Sequence, residues 1–248
     1  MPLKSNIEWK QWGEDDPLFG VASWRGKQKG GSAPWTEKEF YALGQSDWRD
    51  FLEQWKQYGI ANGTCVEIGC GAGRMTHALA SFFERVVAID VSEGMIEQAR
   101  KFAGHNVEFK LVENTQIPLD DCTASAVFST HVLQHLDSIK IGYDYFRESY
   151  RVLKPGGSLM IHIPLCQFPY ENGIWNFLWQ PMYTCVRMVN AVKNKMRRVL
   201  KRKTMCFTFY PIKPLYIFLT TVGFKRIEYR IFPTTSNSEL HSFILVAK

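Results

Sequence analysis

The fold is decided by the stretch Thr64-Cys-Val-Glu-Ile-Gly-Cys-Gly-Ala-Gly-Arg-Met-Thr76. A short run with β-forming residues enters a loop with glycines at positions 69, 71 and 73, and a segment that favours a helix follows. Glycine permits positive φ and lets a ligand approach the backbone closely, and a helix N-terminus offers unpaired N–H donors. We therefore predict a strand, a ligand-binding turn and a helix.

Outward from this stretch, short β-rich runs alternate with helical runs. The pattern predicts strands over 64–69, 86–90, 107–112, 125–130, 157–163, 224–232 and 240–247, and helices over about 73–83, 93–103, 138–153 and 212–222. Alternation of this kind is typical of right-handed βαβ units. The last two strands are joined by 233–239 without a helix and should pair antiparallel. We expect an α/β fold: a Rossmann-like, seven-stranded, mainly parallel sheet with an antiparallel last strand and helices on both faces.

The glycine spacing narrows the choice of ligand. A dinucleotide fingerprint needs a glycine at position 74 or 76, where the chain has Arg74 and Thr76, and the Lys-Ser/Thr of a P-loop is missing too. The second predicted strand ends in Asp90, 17 residues beyond Gly73. A carboxylate at such a strand tip can accept hydrogen bonds from both hydroxyls of a ribose.

Further motifs follow in order over residues 64–163. They are Glu67-x-Gly69-x-Gly71-x-Gly73, Val91-Ser92-Glu93-Gly94-Met95, Ile117-Pro118-Leu119, His131-Val-Leu-Gln-His135 and Arg151-Val-Leu-Lys-Pro-Gly-Gly157. Together they resemble the class I S-adenosyl-L-methionine (SAM) dependent methyltransferases. The resemblance implies SAM as cofactor, S-adenosyl-L-homocysteine as product, and a binding role for Glu67, Gly69, Cys70, Gly71, Gly73, Asp90, Val91, Met95, Glu113, Asn114 and Thr130.

Within that resemblance, Glu67 would receive the amino group of the cofactor's methionine moiety and Asp90 the ribose. Two positions depart from the family's pattern. Glu113-Asn114 stands where the family usually has Asp-Ala or Asp-Gly beside adenine, and 123–127 lacks the usual acid before the fourth strand. The adenine contacts are therefore the part of the cofactor site that the resemblance supports least.

Two histidines follow the fourth predicted strand. His131 and His135 are four residues apart, which places them on one face if the segment is helical, near the expected site of methyl transfer. They are candidates for a general base toward a hydroxyl acceptor, and a purely structural role is the alternative. Two histidines do not complete a metal site and no third ligand is evident in the sequence, so we predict no metal.

The N-terminal 60 residues are predicted to form an aromatic lid and a cap helix, and 61–248 the SAM-binding domain. Thr36 and Glu39 have the spacing of a capping box at the start of a helix that Gly59 would end. Trp35, Phe40 and Tyr41 either wall the acceptor pocket or serve ordinary packing.

The charge is distributed unevenly. Of the 30 Lys and Arg residues, eleven lie within 172–227, a segment that holds no Asp or Glu. The rest of the chain has 19 basic and 24 acidic residues, so a basic segment is joined to a mildly acidic body and the net charge of +6 describes neither of them. Most of this basic segment belongs to an insertion, 165–210, after strand five. Its helix-like part, 185–203, is interpreted as a lid helix, as a membrane-surface helix within 174–203, or as an RNA contact.

The sequence also bears on the cellular compartment of the protein. Scattered cysteines, no signal-like N-terminus and no uninterrupted apolar run of membrane-spanning length favour a cytoplasmic protein, with attachment to a membrane surface left open.

The Asp/Asn-Pro-Pro-Tyr/Phe motif of amino-methylating DNA enzymes is replaced by Ser129-Thr-His-Val132, so nucleic acid is not the expected partner. We expect methyl transfer to a small-molecule or amphiphilic, lipid-linked acceptor, with oxygen slightly preferred over nitrogen or carbon. An RNA methyltransferase and a non-catalytic SAM-fold protein are the alternatives, and the oligomeric state is left open.

Overall fold

A seven-stranded sheet forms the centre of the protein in a computed structural model that describes residues 3–166 and 207–248. Its strands are β1 (Thr64–Ile68), β2 (Arg85–Asp90), β3 (Val107–Leu111), β4 (Ala124–Ser129), β5 (Leu153–His162), β8 (Lys225–Pro233) and β9 (Leu240–Ala247). The strand order is β3-β2-β1-β4-β5-β9-β8. Strands β1 to β5 pair in parallel, and β9 runs antiparallel to both β5 and β8. Two short strands, β6 (Leu165–Cys166) and β7 (Tyr210–Pro211), form a separate parallel pair. The predicted fold class is confirmed, including the antiparallel last strand.

Seven helices in the described part of the chain surround the sheet: α1 (Lys4–Asp15), α2 (Pro17–Val21), α3 (Glu37–Tyr58), α4 (Thr76–Ala80), α5 (Glu93–Arg100), α6 (Ile139–Val152) and α7 (Ile212–Val222). The capping box predicted for α3 is present: Glu39 N donates to Thr36 Oγ1 at 3.3 Å and Thr36 N donates to Glu39 Oε2 at 3.2 Å. Helix α4 is shorter than its predicted range of 73–83, because the chain stays in turns before Thr76 and beyond Ala80.

Helices α1 and α2 occupy the aromatic leader, for which the sequence pattern predicts no helix. No side chain of α1 itself caps its N-terminus. Instead the Asp137 carboxylate accepts hydrogen bonds from the N–H groups of Lys4 at 2.7 Å and Ser5 at 3.2 Å. An acid at this position also interacts favourably with the helix dipole. The capping group lies more than 130 residues away in the chain, so no local signal could reveal this helix.

The core lies on both faces of the sheet. One apolar cluster packs α6 and α7 against one face, and a second packs α3 and α4 against the other. A third cluster, which includes Met95, Phe40 and Tyr41, joins the N-terminal helices to α5. The described cysteines at 65, 70, 122 and 166 are free. Over the ranges 3–166 and 207–248, none of the helices has both the length and the apolar character that crossing a membrane would require. The interpretations of the segment 174–203 lie outside the described residues.

Candidate active site

The glycine loop lies at the carboxyl end of β1. Gly69 N and Cys70 N both donate to Ile89 O, at 2.8 and 3.0 Å, which ties the loop to the end of β2. Gly69 has φ +71°, and a Cβ at this position would lie 2.3 Å from Val132 Cγ2. Glycine is therefore required at position 69 both by the left-handed backbone and by the close approach of the loop after β4.

Asp90 lies at the tip of β2 beside this loop. Its Oδ2 accepts from Gly71 N at 2.8 Å and its Oδ1 from Ser92 N at 2.9 Å. The side chain is buried, and burial raises the pKa of the carboxyl while the backbone N–H groups lower it. These hydrogen bonds fix the orientation of the carboxyl and leave acceptor capacity on each oxygen, as ribose hydroxyls require.

Glu67 is a buried acid on β1. Thr76 Oγ1 donates a hydrogen bond to its Oε2 at 2.6 Å. Burial, together with the nearby Asp90 carboxylate, raises the pKa of this carboxyl to about 7, against the lowering effects of the Thr76 hydrogen bond and of Arg74. A carboxyl in such surroundings gains a great deal from an incoming cation, because the cation favours its ionised form.

One cavity connects these groups. Of the sites predicted from the sequence, Glu67, Gly69, Cys70, Gly71, Asp90, Val91, Thr130, His131 and His135 line it. Thr130 Oγ1 is shielded from solvent and has no hydrogen-bond partner among the described residues. A polar atom buried in this way at a cavity wall indicates a ligand that can bond to it. The donor and acceptor set therefore fits a nucleoside cofactor with an attached amino acid.

Four predicted cofactor residues lie outside this lining. A Cβ at Gly73 would lie 2.9 Å from Ala99 Cβ, so this glycine serves the packing of the loop on α5. Met95 is fully buried in the third apolar cluster. Glu113 is exposed and pairs with Lys10 at 2.8 Å, and Asn114 Oδ1 accepts from Gln116 N at 2.9 Å. Adenine contacts by the side chains of Glu113 and Asn114 thus have no support in the geometry, whereas the neighbouring Val112 does line the cavity.

Of the two roles predicted for Trp35, Phe40 and Tyr41, the acceptor wall and ordinary packing, the structure shows packing. Trp35 Nε1 donates to Ala22 O at 2.8 Å, and Tyr41 Oη donates to Ala72 O at 3.0 Å. Phe40 is fully buried. Because all three point toward the third apolar cluster, Trp35, Phe40 and Tyr41 hold the N-terminal segment against the outside of the glycine loop. None of the three appears among the residues that line the cavity.

The lid over the cavity is formed by α1 and α2, and sequence reasoning missed its residues. Ser5, Asn6, Trp9 and Val21 line the cavity. Asn6 Nδ2 donates to Glu113 O at 3.1 Å, and the Trp9 ring meets the His135 ring at 5.5 Å, edge to face. The aromatic composition of the leader indicated a lid, but the local pattern did not show which side chains face inward.

The segment after β4 is not an α-helix, so His131 and His135 do not share a helix face. His131 has a positive φ of +59°, which is unusual for a residue with a Cβ, and 133–135 form a single 3₁₀ turn. His135 packs against Trp9, while His131 turns toward His162 and His241. Burial among these groups lowers the pKa of His131 well below its ordinary value. The imidazole of His131 is therefore uncharged at neutral pH.

Comparison with known proteins agrees with this geometry. Residues 66–161 match the family model described as a methyltransferase domain. The chain is 35% identical over 109 residues to the malonyl-[acyl-carrier protein] O-methyltransferase of Hahella chejuensis, covering 43% of this chain and 38% of that protein. It is 37% identical over 111 residues to the demethylmenaquinone methyltransferase of Clavibacter sepedonicus, covering 44% and 42%. The match thus spans less than half the length of these two relatives.

Solved structures share the fold at low identity. A SAM-dependent methyltransferase of Aquifex aeolicus superposes with a TM-score of 0.52 at 19% identity, covering 86% of this chain and 98% of that one. Phosphoethanolamine N-methyltransferase 1 of Haemonchus contortus, solved with phosphoethanolamine and S-adenosylhomocysteine, gives 0.60 at 16% identity, covering 98% and 48%. The chain therefore has the fold of the SAM-dependent methyltransferases, and its residues 66–161 match a methyltransferase domain.

A second cleft opens beside the cofactor cavity of the methyltransferase domain. The two share Trp9, Val21, Arg74, His131 and His135 as lining residues. Beyond these, the second cleft is lined by residues of α3, of the turn after β8 and of the start of β9, including Leu43, Asp47, Glu239 and His241. The second cleft is therefore assembled from segments that are far apart in the sequence.

A buried ion pair contributes to the walls of the two cavities, since Arg74 lines both and Asp47 lines the second. Arg74, at the end of the glycine loop, pairs with Asp47 of α3, and both side chains are more than nine-tenths buried. Asp47 Oδ1 also accepts from Ser236 Oγ at 2.6 Å. Arg74 thus links the glycine loop to α3.

Proposed function

We propose that this chain is an enzyme that transfers the methyl group of SAM to a small-molecule or amphiphilic acceptor bound in the second cleft. The observation that carries the proposal is the junction of the two cavities. Trp9, Val21, Arg74, His131 and His135 line both, so a cofactor in the first and an acceptor in the second would meet at these side chains. Alignment of two reactants in a shared site accounts for much of the rate of such transfers.

The chain's own residues supply the parts of a cofactor site. Asp90 would accept hydrogen bonds from the ribose hydroxyls, Glu67 would pair with the amino group, and Thr130 Oγ1 would bond a further polar atom. SAM supplies an electrophilic methyl group on a sulfonium. The lid helices α1 and α2 cover the cavity with Trp9 and Val21 and so keep water from the reacting groups.

The acceptor cleft combines apolar and polar walls. Trp9, Val21 and Leu43 give it an apolar side, and Arg74, His131 and His241 give it a polar end. Such a cleft suits a molecule with an apolar body and a polar head. The names of the relatives agree with this class, since they include a malonyl-[acyl-carrier protein] O-methyltransferase, a demethylmenaquinone methyltransferase and a sterol 24-C-methyltransferase.

Oxygen is the preferred acceptor atom because a hydroxyl must lose a proton on methylation. An imidazole can accept that proton, and His131 lines both cavities, although burial lowers its pKa and so makes it a weaker base. His135 is the second candidate, since it also lines both cavities and contacts Trp9 of the lid. Nitrogen and carbon acceptors follow oxygen in this order of preference.

The test is transfer of a labelled methyl group from SAM into lipid, small-molecule and RNA fractions of a cell extract. We expect label in the small-molecule or lipid fraction with the wild-type protein and none with Asp90→Ala. Label confined to RNA would favour the alternative of an RNA methyltransferase that uses the basic segment on phosphates. Binding of SAM without transfer to any fraction would indicate a non-catalytic protein and refute the proposal.

The roles of the two histidines are tested separately. We expect His131→Ala or His135→Ala to lower the transfer rate at least tenfold while the affinity for SAM, measured by calorimetry, changes little. The exposed His105 gives a matched control, His105→Ala, that should keep the wild-type rate. Wild-type rates in both variants would remove the two histidines from the mechanism without touching the assignment of the cofactor site.

A further inference from the structure

Three histidine side chains meet at the carboxyl end of the sheet beside the acceptor cleft. His131 follows β4, His162 is the last residue of β5, and His241 is the second residue of β9. Because β9 runs antiparallel to β5, its first residues lie at the same edge as the end of β5. The ring of His131 lies 4.4 Å from that of His162 and 5.3 Å from that of His241, and the last two are 5.3 Å apart.

The ring nitrogens of the three histidines lie slightly farther apart than the nitrogens around a bound metal ion do. One nitrogen from each ring lies within 4.8 Å of the other two. The centre of an equilateral triangle with 4.8 Å sides is about 2.8 Å from each corner, against roughly 2.0–2.1 Å for a Zn–N bond. Small rotations of the three side chains, with shifts of about 0.7 Å, would bring them to bonding distance.

Two of the rings carry polar atoms that the protein leaves unsatisfied. Nδ1 of His162 and Nδ1 of His241 are buried and have no hydrogen-bond partner among the described residues. Both side chains are more than nine-tenths buried. Buried polar atoms in folded proteins nearly always have a partner, so two such nitrogens in one cluster point to a ligand that the protein chain itself does not provide.

The electrostatic surroundings are mixed but compatible with a cation. Histidine binds a metal ion as the neutral ring, through the lone pair of one nitrogen. The carboxylates of Asp47 and Glu239 act on His241 as negative charges. The guanidinium of Arg74 opposes a cation, but it is paired with Asp47.

We propose that His131, His162 and His241 form a binding site for a divalent transition-metal ion, with Zn²⁺ as the best match. Three histidines around one open position are a common ligand set for catalytic zinc, and imidazole also suits iron, copper and nickel. His131 and His241 line the acceptor cleft, so the open position faces it and would take an oxygen of water or of the acceptor. This last step rests on the proposed function, whereas the metal site itself does not. With the ion bound, the lone pair of His131 is occupied, so His135 is then the base for a hydroxyl acceptor.

The inference differs from the expectation, drawn from the sequence, that the chain binds no metal. That expectation considered His131 with His135, which are close in sequence. The structure separates these two and brings His131 together with two residues 31 and 110 positions further along the chain. Only the pairing of β9 with β5 creates the third ligand.

The test uses the full-length chain without a histidine tag, stripped of metal with a chelator and then titrated with Zn²⁺ against a chromophoric competitor. We expect one equivalent to bind with a dissociation constant below about 1 μM, and the Co²⁺ form to show the intense visible absorption of a four-coordinate site. His162→Ala and His241→Gln should each weaken binding at least 100-fold. His105→Ala, which removes an exposed histidine, should bind as the wild type does.

Correct folding of each variant is established by its affinity for SAM, which does not depend on the metal ligands. His241→Gln keeps a polar side chain at the sheet edge and serves if His162→Ala fails to fold. Wild-type protein that binds SAM but takes up no stoichiometric Zn²⁺ would overturn the inference, as would equal Zn²⁺ affinity in the histidine variants. Metal binding without methyl transfer would contradict only the proposed function.

Discussion

Lowering the pH should weaken cofactor binding through Glu67. The pKa of this buried carboxyl is about 7 in the free protein, so half of the molecules carry a proton there at pH 7 and about ten in eleven at pH 6. The ammonium of SAM pairs with the ionised form, and binding must therefore expel the proton. The dissociation constant should rise about fivefold from pH 7 to pH 6, which corresponds to about 1 kcal/mol.

Calorimetric titration measures both the release of the proton and the change in the dissociation constant. Titrations at pH 6 in two buffers with different ionisation enthalpies should show release of nearly one proton per SAM bound. Over this pH range the α-amino group of the cofactor stays mainly protonated, since such groups titrate near pH 8. Glu67→Gln should bind SAM more weakly, with an affinity independent of pH between 6 and 7. Glu84→Gln, an exposed control, should keep the fivefold dependence.

Unfolding gives an independent readout of the same group. The pKa of Glu67 is raised in the folded state, so its contribution to stability is present below its unfolded pKa and is lost as the pH rises through about 7. The free energy of unfolding of the wild type, relative to Glu67→Gln, should fall by roughly 3 kcal/mol between pH 4.5 and pH 7. An affinity for SAM that is the same at pH 6 and pH 7, with no buffer-dependent enthalpy, would refute the pairing of Glu67 with the cofactor's amino group.

Three further substitutions test other parts of the site. Asp90→Ala should weaken SAM binding about 100-fold by calorimetry, because it removes an acceptor of charge-assisted hydrogen bonds worth about 1.5–3 kcal/mol each. Gly69→Ala should lower both SAM affinity and the unfolding midpoint by more than Gly30→Ala does. Both glycines have positive φ, but only a Cβ at Gly69 meets a neighbouring side chain. Asp47→Ala should cost about 3–5 kcal/mol in denaturant unfolding, because it leaves the buried Arg74 unpaired.

Each of these three predictions has a control variant and a result that would contradict it. Asp120→Ala, on the exposed surface before β4, is the control for Asp90 and should bind SAM normally. Equal effects of alanine at Gly69 and Gly30 would show that only the backbone conformation matters at the loop. Glu53→Ala removes an exposed acid of the same helix, and an equal loss of stability there would argue against a special role for the buried pair.

Local features of the sequence were enough for the sheet and the cofactor side of the site. The glycine loop and Asp90 are separated by one βα unit, and β1 and β2 are adjacent parallel strands, so their carboxyl ends had to meet. The start of α3 was equally readable, because its capping box is formed by residues three positions apart. Interactions between residues that are close in the sequence can be predicted from the types and spacing of those residues.

Contacts between distant segments could not be predicted in this way. Helix α1 depends on a cap from Asp137, so its lid residues could not be found from the local pattern. The sequence left Trp35, Phe40 and Tyr41 open between the acceptor pocket and packing, and only the structure places them in packing. Polar side chains of Glu113 and Asn114 follow the family's position but turn to solvent, where Lys10 and a local turn satisfy them.

By itself, the sequence determined the alternation of strands and helices, the turn that receives a nucleotide-like ligand and the acid at the tip of β2. These follow from side-chain periodicity and from the backbone freedom of glycine, which act over a few residues. Only the tertiary structure decided that Arg74 is buried against Asp47, that α1 closes the cavity, and that His131 lies with His162 and His241 rather than beside His135. Each of these depends on sheet register and helix docking, which bring together groups that the chain holds far apart.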